Sequence, residues 1–246
     1  MSVQGSAPAA KPPLPGSSIC TTSLAVTTIL HQFAESLGNA IDAKDPHTSR
    51  HSDEVAQVAH ILALTMGLTP KEADIIHVAG HLHDIGKIGV PDAVLMKRGP
   101  LTTTEWRTIR KHPEAGAAII RPVTGLARLG IVDMVLHHHE RYDGKGYPHG
   151  LRGTTIPQGA RIIAVADSLS AMMQDRPYRR AMSFATALEE IIRNSGTQFD
   201  PRVVEALRRS GETVRGIMET LSMDESGQTI PKVQKIGPCC AHAVGS

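Results

Sequence analysis

His138, His139 and Glu140 run straight into a glycine-rich turn, His-His-Glu-Arg-Tyr-Asp-Gly-Lys-Gly-Tyr-Pro over 138–148. Two adjacent imidazoles and a carboxylate are costly to hold together unless a cation organises them, and a metal ion is the usual organiser. A second cluster, His83-Asp84-Ile85-Gly86-Lys87, lies upstream, and His51, His112 and Asp167 stand singly in separate helix-like segments. Read one at a time, His51 or His112 is most simply a hydrogen-bonded, partly buried histidine. Read together, the set supplies N and O ligands for two metals. The two oxygens of Asp84 can bridge a pair of ions, and Lys87, three residues on, returns to the same side, where it could meet a metal-bound phosphate. Mixed imidazole and carboxylate ligands suit iron or manganese better than structural zinc. A dinuclear centre of that kind favours hydrolysis of phosphate esters, because it turns a bridging water into hydroxide and neutralises charge on the phosphoryl oxygens. Arg176, Arg179 and Arg180 follow in Asp-Arg-Pro-Tyr-Arg-Arg. Guanidinium matches phosphate bidentately, although a solvated basic turn accounts for the same residues.

Helices must position these groups. The 246 residues are poor in aromatics (3%), so the core has to be built from aliphatic side chains and Met. Asp45-Pro46 and Asp200-Pro201 pair an N-cap with Pro at the first helical position. Thr69 with Glu72, and Thr102 with Glu105, have capping-box spacing, while Gly67, Gly86, Gly89, Pro122 and Gly196 act as stop signals. Helices are expected at Thr22–Ala43, Pro46–Met66, Pro70–His83, Thr103–Arg121, Gly125–His138, Gln158–Met173, Phe184–Asn194 and Pro201–Arg209. The fold expected is an all-α bundle. Its long connection from His139 to Pro157 carries the Gly-Tyr-Pro turn, and long loops in compact domains are usually functional.

Residues 1–21 and 224–246 are expected to be a disordered arm and tail flanking one domain over 22–223. A net charge of +2 without blocks of like charge carries no message of a nucleic-acid polymer or membrane, neither of which is expected as partner, and no apolar run is long enough to span a bilayer. Three cysteines without disulfide or zinc spacing, and a start lacking signal-peptide character, point to the cytoplasm.

The motifs Ala43-Lys44-Asp45-Pro46, Arg50-His51-Ser52, His83-Asp84-Ile85-Gly86-Lys87-Ile88-Gly89-Val90-Pro91, Lys111-His112-Pro113, His138-His139-Glu140 through Gly146-Tyr147-Pro148, Val165-Ala166-Asp167, Arg176-Pro177-Tyr178-Arg179 and Gln198-Phe199-Asp200-Pro201 occur in order. This series resembles the HD-GYP subgroup of the HD-domain metal-dependent phosphohydrolases, from about Ala43 to Leu207. The resemblance implies an HD-domain helical bundle extended by further C-terminal helices, holding two or three divalent metal ions, Fe or Mn. It implies hydrolysis of cyclic di-GMP to linear pGpG and onward to GMP. Carried over by position, the metal ligands are His51, His83, Asp84, His112, His138, His139 and Asp167. Asp84 and Lys87 take catalytic places, and Lys87, Arg176 and Arg179 contact substrate phosphates. The Gly146-Tyr147-Pro148 loop is either a docking surface for diguanylate cyclase proteins or one wall of the site. Rival readings are another cyclic dinucleotide or nucleotide phosphoester as substrate, or a receptor that binds cyclic di-GMP and acts through partner proteins without turnover.

Two positions depart from the family pattern. Ser170 stands where the family usually carries Asp, which puts outer support of the metal ligands in question and with it the level of activity. His47 stands where Tyr is common and where some three-metal members have Glu; with a helix starting at Pro46 it would share a face with His51 and becomes a candidate extra ligand. His77 and His81 are expected to be a packed or surface pair, and His137 to stay outside the ligand set. The helix near Leu24 to Ile41 is either a dimerisation element or the first helix of the bundle, so a homodimer is left open.

Overall fold

The computed structural model of the chain describes residues 17–45, 50–175 and 180–222, with side chains from Thr28 onward. Eleven α-helices carry these residues, with no strand among them: α1 Ser17–Lys44, α2 His51–Thr65, α3 Pro70–Leu82, α4 Asp92–Leu95, α5 Thr103–Ile109, α6 His112–Ile120, α7 Thr124–Arg128, α8 Ile131–His137, α9 Gln158–Met173, α10 Phe184–Arg193 and α11 Pro201–Leu221. The chain forms two units, residues 1–33 and 34–246, with the boundary inside α1, and the site and its supporting core belong to the second. No helix among the described residues is long and apolar enough to cross a membrane.

Three of the expected caps form, and the Asp45-Pro46 start lies outside the described residues. Thr69 accepts from the Glu72 N–H at 3.3 Å while Glu72 accepts from the Thr69 N–H at 2.8 Å, and Thr102 and Glu105 repeat the exchange at the start of α5. Asp200 accepts from the Arg202 N–H at 2.8 Å, with Pro201 in the first turn of α11. Each cap satisfies amides that a helix start leaves without an internal partner.

Four of the expected helices take other bounds. α1 begins at Ser17, inside the stretch expected to be a disordered arm. α2 is described from His51, after Arg50 in a left-handed conformation (φ 60°), and the start expected at Pro46 lies outside the described residues. Two single helices become pairs. The segment expected over 103–121 breaks at Arg110 and restarts at His112, with Pro113 in the first turn of α6. The segment expected over 125–138 breaks at Gly130, whose φ of 74° is left-handed. α11, in contrast, continues to Leu221, because Val203, Val204, Ala206, Leu207, Val214 and Met218 keep one face buried well past Arg209.

Helices α2 and α9 form the middle of the bundle. Val55, Val58, Ala59, Leu62 and Ala63 of α2 are inaccessible to solvent, as are Ile162, Ile163, Val165, Ala166 and Leu169 of α9. α3, α9 and α11 pack on α2, α10 on α9, and α8 joins α3 to α6. Burying a Leu or Ile side chain contributes about 1.5–3 kcal/mol, so these two aliphatic helices give the site a stiff floor.

A candidate metal centre

Three of the expected ligands sit where a helix ends. The last carbonyls of a helix have no amide partner within it, and an imidazole placed just beyond can take one with its Nδ1–H. His83 does so with the Gly80 carbonyl at 2.7 Å, His112 with Ile109 at 2.8 Å, and His138 with Val135 at 2.7 Å. Each bond spans three residues, holds Nδ1 outward and turns Nε2 inward. His51 opens a helix and has no such carbonyl; its Nδ1 lies 2.8 Å from Ser170 Oγ instead.

The inward atoms converge on Asp84. Its Oδ1 is 3.1 Å from His112 Nε2, while its Oδ2 is 3.3 Å from His83 Nε2 and 3.9 Å from His51 Nε2. His51 Nε2 is also 3.2 Å from Asp167 Oδ1, His139 Nδ1 is 4.0 Å from Asp167 Oδ2, and His112 Nε2 is 3.3 Å from His138 Nε2. The side chains fall into two groups able to hold a metal ion, His51 with His83 and Asp167, and Asp84 with His112, His138 and His139. Asp84 lies between them, one oxygen toward each. His83 Nε2 is buried and makes no hydrogen bond, a cost that a metal ion would remove. The donor set fits a pair of divalent ions of the iron and manganese type.

The charges suit the same role. Burial opposes ionisation of Asp84 and Asp167, yet Lys87 and His83 hold Asp84 well below the usual carboxylate range, and the neighbouring His51 does the same for Asp167. Burial, with the charge of His139, holds the His138 imidazolium far down; burial and His112 bring His139 to about 3. Both imidazoles are therefore neutral at neutral pH, the form that binds metal. Burial also pulls on His83, but the Asp84 carboxylate outweighs it and pushes His83 up to about 9, so a metal arriving there displaces a proton.

Around this centre the backbone is drawn in tightly. Asp84 to Gly89 make a single 3-10 turn, in which Gly86 comes so close to α6 that a Cβ would lie 1.9 Å from the His112 carbonyl oxygen. Gly86 is thus a close-approach residue rather than the helix stop expected of it. Lys44 holds the far side of the turn, its Nζ donating to the carbonyls of Ile88 at 2.8 Å and Val90 at 2.9 Å. Lys87 is delivered to the site, but its Nζ is 2.6 Å from Asp84 Oδ2, paired with that carboxylate.

The Gly-Tyr-Pro loop forms a wall. Tyr147 lies against His139 with ring centroids 4.9 Å apart, and the Arg110 guanidinium covers its other face at 4.5 Å. Burial and the charges of Asp167 and Asp84 push the Tyr147 phenol up, keeping it neutral. Gly146 has no room for a side chain, since a Cβ would meet Arg141 N at 2.3 Å and Glu140 Cα at 2.5 Å. Glu140, grouped with the histidines by sequence, faces away from the metal groups. It accepts from the His149 and Leu151 amides at 2.7 and 3.1 Å, and so ties the loop.

Other expectations resolve individually. His137 stays out of the ligand groups, its Nε2 3.0 Å from His149 Nδ1. His77 and His81 are a buried pair with Nε2 atoms 3.0 Å apart. His47, Arg176 and Arg179 lie outside the described residues. Sequence reasoning missed Lys44, Glu54, Arg110 and Gln174. Only Glu54, three residues after His51, carried a spacing signal.

The HD domain family model matches residues 35–203. The cyclic di-GMP phosphodiesterase response regulator RpfG of Xanthomonas campestris pv. campestris is 42% identical over 174 residues, which cover 70% of this chain and 46% of that protein. The cyclic di-GMP phosphodiesterase of Thermotoga maritima is 39% identical over 178 residues, 72% of this chain and 48% of that one. The 3'3'-cGAMP-specific phosphodiesterase 2 of Vibrio cholerae is 37% identical over 176 residues, 72% and 34%. The chain thus spans about a third to a half of the length of these relatives. Among solved structures, a cyclic GMP-AMP-specific phosphodiesterase of V. cholerae is similar with a TM-score of 0.58 and 19% identity, covering 80% of this chain and 52% of that one. The HDG"Y"P protein Bd1817 of Bdellovibrio bacteriovorus gives 0.57 and 17%, covering 78% and 62%. At such identities the likeness is one of fold, and the fold is the all-helical one expected.

Proposed function

This chain belongs to the HD-domain family, and from that premise we propose that it is a metal-dependent phosphodiesterase acting on cyclic di-GMP, giving linear pGpG and then GMP. The observation that carries this reading is Asp84 standing between two ligand groups with one oxygen toward each. In it, His51, His83 and Asp167 would hold one divalent ion, and Asp84 with His112, His138 and His139 the other. Iron or manganese, once bound, would supply a hydrolytic water acidic enough to react at neutral pH and positive charge for the phosphoryl oxygens.

The chain's own residues do the rest. The Nδ1–H bonds to helix-end carbonyls orient three imidazoles without metal, so little reorganisation accompanies loading. Lys87, paired with Asp84, keeps that carboxylate ionised and adds a cation where substrate phosphate would lie. Arg176 and Arg179 are assigned to the phosphates on the family pattern. Tyr147, a neutral phenol against His139, screens one side of the site from water. The Gly146-Tyr147-Pro148 loop is read as this wall in preference to a docking surface for diguanylate cyclases. The reading places the protein in the cytoplasm.

The test is turnover of cyclic di-GMP by protein loaded anaerobically with Fe(II) or Mn(II), with products separated by chromatography, metal assayed on the same sample and Asp84→Ala as control. Linear dinucleotide or GMP formed only with Asp84 intact is the expected result. Bound metal without turnover would refute the phosphodiesterase reading in favour of a receptor. A second substrate is favoured by a specific observation, the relatives named for 3'3'-cGAMP. Preferential hydrolysis of 3'3'-cGAMP in direct competition would replace cyclic di-GMP in the assignment.

A further inference from the structure

We propose that Glu54 is a positioning residue for metal binding, acting through the Ser170 hydroxyl to set the tautomer of His51. The inference rests on the reading of His51 as a ligand. His83, His112 and His138 are each oriented by a carbonyl, which can only accept; that fixes the proton on Nδ1 and leaves Nε2 for the metal. His51 faces a hydroxyl instead, and a hydroxyl can donate or accept. Left to itself, Ser170 could donate to Nδ1 and drive the ring proton to Nε2, where it would block the ion.

Glu54 removes that freedom. Ser170 Oγ donates its single proton to Glu54 Oε2, so the lone pair it turns to His51 Nδ1, 2.8 Å away, must accept. The proton therefore sits on Nδ1, and Nε2 faces Asp167 and the ligand group at 3.2 Å. Gln174 Nε2 holds the same Glu54 oxygen at 3.0 Å, and Ser170, Glu54 and Gln174 are all buried. Helical spacing builds the device. His51 and Glu54 are three apart on α2; Asp167, Ser170 and Gln174 follow at three and four further residues along α9, so one face of each helix carries both a ligand and its support. The carboxylate that the family usually places at position 170 is displaced by one hydroxyl to the neighbouring helix, and the support that Ser170 put in question is supplied by Glu54.

The test measures Mn(II) stoichiometry and affinity by calorimetry, and the His51 tautomer by 15N NMR of the protein without metal, for Ser170→Ala, Glu54→Gln, the exchange variant Glu54→Gln/Ser170→Asp, and His51→Ala. Loss of an outer-shell partner typically weakens metal binding about 10- to 100-fold. That loss is expected in both single variants, with mixed tautomers at His51, while the exchange variant returns to within about threefold of the parent because its carboxylate accepts directly from Nδ1–H. If Ser170→Ala does not fold, Ser170→Thr against Ser170→Val supplies the same contrast, hydroxyl against none at equal size. Parent affinity and an unchanged tautomer in the single variants, with one metal lost in His51→Ala, would overturn the relay and leave the ligand reading standing. Full metal content in His51→Ala would overturn the ligand reading and the relay with it.

Discussion

Gly86→Ala should disable the metal centre without removing a single ligand. An added Cβ would stand 1.9 Å from the His112 carbonyl oxygen, 2.5 Å from Gly116 N and 2.8 Å from His112 C, all backbone atoms that cannot swing aside. Ordinary contact begins near 3.4 Å, so the turn and α6 must part by about 1.5 Å. The strain concerns Asp84, two residues before Gly86, and His112, the very residue struck. Their 3.1 Å contact between Oδ1 and Nε2 would open beyond reach of a shared ion. Metal sites tolerate ligand shifts of about 0.2 Å, and a misplacement of about 1 Å costs about 100-fold in rate. Overpacking of this kind also costs about 1–3 kcal/mol, which at about 2–4 °C per kcal/mol leaves a folded protein. Metal content per chain, thermal midpoint and phosphodiesterase turnover together read the effect. Gly89→Ala is the matched control, because a Cβ there meets nothing within 4 Å in the same turn. Parent-level metal content and turnover in Gly86→Ala, or equal damage in Gly89→Ala, would refute the close-approach argument.

Further outcomes follow from other parts of the fold. Buried Asp200 pairs with the partly buried Arg161 and caps α11; Asp200→Ala, which strands the guanidinium, should cost about 3–5 kcal/mol in urea denaturation, and a loss under about 1 kcal/mol would show the pair to be idle. Glu140→Ala frees the His149 and Leu151 amides, so hydrogen exchange should quicken at those residues while α2 and α9 keep their protection; uniform quickening would argue for general destabilisation instead. Burial, then the charges of Glu35 and Asp42, push Asp53 up to about 6. A carboxylate raised above its unfolded value is neutral in both states at pH 3 and disfavours the fold as pH rises from about 4 through 6. Asp53→Asn should therefore stabilise by about 1–2 kcal/mol at pH 7, discounted for a side chain 22% exposed, and by nothing at pH 3; the same gain at both pH values would remove Asp53 ionisation as the cause.

What the sequence determined by itself was local. Thr69-Pro70 with Glu72, Thr102 with Glu105, and Asp200-Pro201 each act over at most three residues, so their helix starts were legible and formed as expected. The candidate ligand side chains that the fold gathers into two groups were legible in the same way, because imidazoles and carboxylates set in a recognisable motif series declare their chemistry. Tertiary structure decided everything that depends on which faces meet. The break at Gly130 follows from a left-handed residue between two helices, where the chain turns to pack, and hydrophobic periodicity runs through such a point without a mark. Likewise, no spacing could say that Asp84 divides its oxygens between two groups, or that Lys87 pairs with it. Nor could it say that Glu140 ties a loop rather than a metal, since its partners are amides nine and eleven residues away. Ser170 shows the division most plainly. Judged alone, it is a lost carboxylate, and only the packing of α2 on α9 brings Glu54 to its hydroxyl across more than a hundred residues of chain.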